Sequence, residues 1–184
     1  MKTSLIAAAF AALLAGCGST PQTVIEADTV IAGRSYRNQA VSLGRVKLRV
    51  ALLPQAPVAD GEPAPVEIMV GFATSGEPLS VVAAGGSLVA KKDGARGELV
   101  GRQQARGTGL ECVAENQAEL GLEYWFNGKV QRDSWRCVVL RFTLAGHRPG
   151  DPLELQFEPI NVGGELQRLL PVTFAYRTEQ LEAE

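Results

Sequence analysis

Histidine occurs once in the 184 residues, and aromatic side chains make up only 6% of them. A single His excludes a His-rich metal centre and leaves no second imidazole for a proton relay. Basic residues do not outnumber acidic ones: 18 Lys and Arg stand against 20 Asp and Glu, a formal charge of −2. Duplex affinity comes mainly from Lys and Arg neutralising phosphates, so this balance argues against a nucleic-acid partner. Cysteine is scarce as well, three in all, which excludes a disulfide-dense scaffold. Beyond the N-terminus no uncharged apolar run approaches the length of about 20 residues that a spanning helix needs. What is present is a 46% hydrophobic content, ordinary for a globular chain with one packed core, punctuated by 20 Gly and 10 Pro.

The N-terminus is the most specific segment. Lys2 supplies a positive charge, and residues 5–15 then run without a charge or strong hydrogen-bonding group. That is too short to span a bilayer and right for a signal-peptide core of about 7 to 15 residues. The run ends in Leu14-Ala15-Gly16-Cys17, which resembles the lipobox of bacterial lipoproteins: an aliphatic residue, two small residues, then Cys. Small side chains before the Cys give a peptidase access to the backbone and leave the thiol free for alkylation. The resemblance implies cleavage after residue 16, a diacylglyceryl group on Cys17 and often acylation of its new amino group. Two or three buried acyl chains anchor stably where one does not. An ordinary cleaved signal peptide with an incidental Cys is the alternative. In Gram-negative lipoproteins an Asp after the Cys resembles an inner-membrane retention signal, so Gly18 points to the outer membrane. The implied division is a signal peptide over 1–16, a lipidated N-terminus and tether over 17–40, a β-domain over 41–177 and a polar C-terminal tail over 178–184.

Removing Cys17 for lipid leaves Cys112 and Cys137 in a compartment that supports disulfides. A bridge between them closes a loop of about 26 residues, contributing on the order of 3 kcal/mol on the chain-entropy model. A redox pair ordinarily sits as C-x-x-C, and a metal site needs more ligands than one His supplies.

Period-two alternation dominates the rest of the chain, the mark of strands with one buried face. Val46, Leu48, Val50 and Leu52 form one set; Val66, Ile68, Val70 and Phe72 a second; Val138, Leu140, Phe142 and Leu144 a third. Leu153, Leu155 and Phe157 form a fourth, and Leu170, Val172, Phe174 and Tyr176 a fifth. Weaker strand candidates lie over 79–84, 87–92, 98–104 and 122–126, and 24–31 is a further one with broken alternation. Turn chemistry separates these runs at Thr74-Ser75-Gly76, Gly85-Gly86, Asp93-Gly94, Asn127-Gly128, Pro149-Gly150-Asp151 and Gly163-Gly164. Asn127-Gly128 in particular predicts a type I′ hairpin turn. No segment combines helical periodicity with caps at both ends. The prediction is all-β: a two-sheet antiparallel β-sandwich, immunoglobulin-like or transthyretin-like, of about seven to nine strands, with a β-barrel as the alternative.

Catalytic signatures are absent. There is no G-x-S-x-G, Walker A, post-strand G-x-G-x-x-G or H-E-x-x-H motif, and no cofactor or metal is called for. His147 stands in a Gly/Pro-rich turn and reads as a solvated loop residue. Glu111, Glu115, Glu119 and Glu123 recur every four residues, but like charges at that spacing repel on a helix, so they read as an acidic loop or strand edge. Lys91-Lys92-Asp93-Gly94-Ala95-Arg96 reads as a solvated turn.

The densest aromatic feature is Tyr124-Trp125-Phe126, followed by Trp135 near Cys137. Successive side chains on a strand point to opposite faces, so three aromatics in a row cannot all enter one core. Such a residue either packs on a loop beside the disulfide or anchors a binding surface, as Trp and Tyr often do. Tyr124, Trp125, Phe126 and Trp135 are therefore the candidate binding surface. The functional expectation is a non-enzymatic module, anchored in the cell envelope through Cys17, that docks another envelope protein from the periplasmic side. In outline it is similar to small periplasmic sandwich lipoproteins such as those of type VI secretion, without a shared motif. A glycan- or lipid-binding lipoprotein is the alternative, and a hydrolase is disfavoured by the missing nucleophile–base pair.

Overall fold

A computed structural model describes residues 22–36, 39–53, 62–82, 86–108, 111–119, 124–129 and 134–181. The chain divides into two compact units, Met1–Val24 with Thr178–Glu184 and Ile25–Arg177. In the first unit the described residues, 22–24 and 178–181, are extended. In the second the alternating runs become strands, and the described residues contain no helix.

The strands in chain order are β1 (Gln22–Ile31), β2 (Arg34–Tyr36), β3 (Val41–Leu43), β4 (Val46–Leu52) and β5 (Ala64–Thr74). They continue as β6 (Pro78–Val82), β7 (Gly86–Ala90), β8 (Arg96–Thr108), β9 (Glu111–Glu119) and β10 (Tyr124–Lys129). The rest are β11 (Arg136–Leu144), β12 (Leu153–Phe157), β13 (Ile160–Val162), β14 (Glu165–Gln167) and β15 (Val172–Leu181). They form two antiparallel sheets. The larger has the order β2-β1-β15-β12-β7-β8-β11-β5-β4-β3, with β9 also paired to β8; the smaller has the order β10-β6-β13-β14.

Alternation dictates the interior, because each strand sends every second side chain inward. Val46, Leu48 and Val50 of β4, Val66, Ile68, Val70 and Phe72 of β5, and Val138, Leu140, Phe142 and Leu144 of β11 share one core with Leu88 of β7, Leu153 and Leu155 of β12, and Val172 and Phe174 of β15. The larger sheet curls so far that its ends nearly meet. The Thr29 hydroxyl on β1 donates to the Val50 carbonyl on β4 at 2.8 Å, buried, across strands that share no ladder.

The smaller sheet caps one end of this core. Its links to β5, β12 and β15 all leave from the same ends of those strands, and Leu79, Val81, Ile160 and Val162 complete the core there. At the opposite end, here called the base, lie the β7–β8 turn and the β11–β12 loop. They are joined by the Lys91 amide donating to the Pro152 carbonyl at 2.9 Å. Mixed ion pairs line the base, Lys91 with Glu154 at 2.9 Å and Lys92 with Asp151 at 4.0 Å.

Several expectations need correction. The described residues hold fifteen strands rather than seven to nine, because short edge strands such as β2, β3 and β14 are too brief to show alternation. Residues 22–36, read as part of a tether, supply β1 and β2, whose Thr29 and Ile31 are buried. β15 runs into the segment read as a tail. Leu170 lies outside β15 and is exposed, since Pro171 lacks the N–H a ladder needs. Asn127 and Gly128 do not make a turn: they lie within β10, opposite Ser80 and Leu79 of β6, and a ladder with a distant strand overrides local turn preference. The turns at Gly76, Gly94, Gly150 and Gly163-Gly164 do form, each glycine at positive φ.

Candidate functional site

Outward positions of β5 and β11 carry a second, smaller apolar cluster. Ala73, Cys112, Trp135, Cys137 and Val139 are buried in it, with Leu53 and Met69 packed alongside. Cys137 sits in the middle of the sheet, opposite Gly71 of β5 on one side and Ala105 of β8 on the other. Cys112, the second residue of β9, lies opposite Gly107 and is disulfide-bonded to Cys137, with the Cα atoms 5.7 Å apart. The bridge stitches the β8–β9 hairpin onto the outer face of the sheet.

Gly71 makes the room for this. Val70 and Phe72 point into the main core, so residue 71 points outward, beneath the disulfide. A Cβ there would lie 2.4 Å from Cys112 Sγ, 3.1 Å from Trp135 Cε3 and 3.6 Å from Cys137 Sγ. Sequence reasoning missed this residue, although a glycine inside a strongly alternating strand is itself a signal of close approach.

The candidate aromatic surface separates into two parts. Trp135 is buried, 8% exposed, and packs beside the disulfide, so it is a wall of the outer cluster rather than an exposed anchor. Its indole is drawn in because the sulfurs and Val139 offer apolar surface that Gly71 leaves uncovered. Tyr124, Trp125 and Phe126 lie on β10, an edge of the smaller sheet, within the segment that the disulfide closes. Tyr124 pairs with Val82 and Phe126 with Val81, so Trp125 is the extra residue of a β-bulge. Bulges locally re-aim a strand. The side chains of these three residues lie outside the described part, as does Cys17. Of the four spaced carboxylates, Glu111, Glu115 and Glu119 lie on β9, a strand and not a helix; Glu123 is outside the described residues.

His147 also departs from expectation: it is 6% exposed. The β11–β12 loop folds tightly, with the Asp151 amide donating to the Arg148 carbonyl at 3.0 Å and the Arg148 amide to Asp151 Oδ2 at 3.2 Å. That fold turns the imidazole inward while Gly146 and Arg148 stay in water. Burial lowers the His147 pKa, and the nearby Asp151 carboxylate opposes the shift without cancelling it. Nearby on β12, the Glu154 carboxyl is held below its usual range, first by the Gln156 amide donating at 2.8 Å and then by Lys91.

At the cap, Arg45 bridges Glu77 and Glu165, each at 3.2 Å, and the Gln167 amide donates to the Leu43 carbonyl, tying β14 to the β3–β4 hairpin. Leu166 on this edge strand is 75% exposed, a lone apolar residue among polar neighbours that the sequence reading passed over. Among the described residues no group of three or more His, Cys, Asp or Glu is placed to hold a metal ion.

No protein-family model, curated protein or solved structure matches the chain. Its function is therefore read from the molecule alone. Among the described residues the arrangement offers an interior packed with apolar side chains, a disulfide-pinned hairpin and, at the cap, an edge strand with an exposed leucine, Leu166.

Proposed function

We propose that the chain is an envelope lipoprotein, anchored through Cys17, whose all-β body is a non-enzymatic docking module for another envelope protein. The observation that carries the reading is the disulfide seated over Gly71. A strand position kept free of a side chain so that two sulfurs fit there supports a protein that matures where disulfides persist, the compartment implied by the lipobox. Recognition then belongs to the surface, because Phe72, Phe142, Phe174 and the leucines of the core fill the interior. A glycan- or lipid-binding role accordingly requires a surface groove. The surface that best suits a protein partner is the cap, with the aromatic strand β10 at one edge and Leu166 at the other. For the body's finer shape, the Thr29–Val50 seam favours a barrel over an immunoglobulin-like or transthyretin-like sandwich.

Two measurements test the reading. In a Gram-negative host, labelled palmitate should enter the protein and partition it to the outer membrane, and Cys17→Ala should abolish both. Photo-cross-linkers at Lys129 and Leu166 should then capture one envelope protein reproducibly, while a cross-linker at Lys92 on the base should not. Absence of lipid on Cys17, or a capture pattern the same at all three sites, sinks it.

A further inference from the structure

We propose that the Cys112–Cys137 bond is a redox latch: a dithiol reductant opens it while the body stays folded, and opening frees the tip of the β8–β9 hairpin from the outer face of the larger sheet. The inference goes beyond the docking role and does not depend on lipid at Cys17.

The register of β8 shows where the tip hinges. β8 is laddered to β11 from Glu98 opposite Thr143 as far as Ala105 opposite Cys137. Beyond Ala105 its described partners belong to β9 alone: Arg106 faces Val113, Gly107 faces Cys112 and Thr108 faces Glu111. The ladder between β8 and β9 is interrupted at the same place, since Gln104 faces Ala118 while Arg106 faces Val113. The tip is thus a short two-stranded piece with an irregular joint at its root. Two strands alone are marginal in water.

The tip does not continue the plane of the sheet. In a flat sheet Cys112 would lie two strand spacings from Cys137, about 10 Å. Their Cα atoms are 5.7 Å apart, and Cys112 Sγ stands over Gly71 of β5, the strand on the far side of β11 from β8. The tip therefore curls back across β11, and the disulfide is the covalent tie that keeps it there. Among the described side chains of the tip, Cys112 belongs to the outer cluster and none belongs to the main core. Lifting the tip sacrifices part of the outer cluster and leaves the main core whole, a sub-global opening and not an unfolding.

The chemistry is thiol–disulfide exchange. Cys112 is 9% exposed and Cys137 only 2%, so attack falls on Cys112. A reductant thiolate bonds to Cys112 Sγ, the S–S bond breaks, and Cys137 leaves as a thiolate that takes up a proton. The second thiol of the reductant then attacks the reductant sulfur of the mixed disulfide and releases Cys112 as a thiol. The bridge has gained two electrons and two protons, and the dithiol has become a disulfide. Cys137 stays in β11 while Cys112 departs with the tip, leaving the cluster that buries Trp135 and Val139.

The experiment uses the oxidised full chain in mild detergent at pH 8, without denaturant, with dithiothreitol as the reductant. Aliquots are alkylated, and the peptides carrying Cys112 and Cys137 are read by mass spectrometry. Both cysteines should be alkylated at least tenfold faster than the chain unfolds, the unfolding rate being extrapolated from urea jumps, and the far-ultraviolet circular dichroism should keep its β-sheet form. Trypsin should then cut after Arg106 at least tenfold faster in the reduced protein than in the oxidised one, and reoxidation should restore resistance. Reduction no faster than global unfolding overturns the latch, because the bridge then opens only with the core. Loss of the β-sheet spectrum on reduction, or equal cleavage after Arg106 in the two states, overturns it as well.

Discussion

Gly71 and Cys112 occupy one small space: a Cβ added to Gly71 would lie 2.4 Å from the Cys112 sulfur. The contact couples a strand of the main core to a hairpin folded across its outer face, and it makes the cost of a side chain at residue 71 depend on the disulfide.

Gly71→Ala should therefore destabilise the oxidised protein by roughly 1–3 kcal/mol, the usual cost of overpacking. Sulfur and indole both crowd the new methyl, and neither is the far end of a flexible chain. Urea unfolding in the Cys112→Ala/Cys137→Ala background should show a clearly smaller penalty, since the nearest atom has gone. An equal penalty in both backgrounds would place the strain elsewhere.

Breaking the bridge has its own cost. Cys112→Ala/Cys137→Ala should lower stability by about 3 kcal/mol, through the freed loop of the unfolded chain and the loss of packing around Trp135. Trp135 should at the same time become more accessible to an aqueous fluorescence quencher. The main core residues share no member with the outer cluster, so the fold should persist, as far-ultraviolet circular dichroism would register.

The seam between β1 and β4 rests on a side chain. Thr29→Val keeps the shape and removes the hydroxyl that meets the buried Val50 carbonyl, so a loss of about 1–2 kcal/mol is expected. Hydrogen exchange should accelerate in β1 and β2 before it does in β11, which has ladder partners on both sides. Uniform acceleration would mean the seam is not a separate opening unit.

Stability should fall with acidification from the edge of neutrality. Because burial depresses the His147 pKa, the unfolded chain takes up that proton first as pH drops below the ordinary value of 6.5. The stability tied to neutral His147 is fully present above 6.5 and lost as pH falls through the lower folded value. Glu154 acts in the same direction further down, its contribution complete above 4.5 and lost toward its own depressed folded value. His147→Gln should flatten the first leg and leave the second. An unchanged slope below 6.5 in that variant would assign the loss to other groups.

Much of the body was legible from alternation. The sets on β4, β5 and β11 bury the residues that the period-two pattern selects, except Leu52, which is half-buried at the end of β4, and the pairing of Cys112 with Cys137 agrees with counting. His147 was not legible, because a Gly/Pro turn exposes its residues only when it projects from the body, and this one folds back through Asp151. Trp135 likewise looked like a surface anchor until a second apolar cluster placed a wall beside it. At Asn127-Gly128 the local preference for a turn yielded to pairing with β6, about fifty residues away in sequence.

From its residues alone, then, the protein has the places of its strongly alternating strands, the inward member of each pair of neighbours in them, the expected pairing of its cysteines and an N-terminus that resembles a lipobox leader. These are local or countable properties, written in spacing. Only the tertiary structure decides which strand lies beside which, where the curled sheet meets itself at Thr29 and Val50, and why residue 71 carries no side chain. The reason is physical: alternation assigns a face to each side chain but names no neighbour. Neighbours are chosen by how distant surfaces pack once the entropy of closing the chain between them has been met.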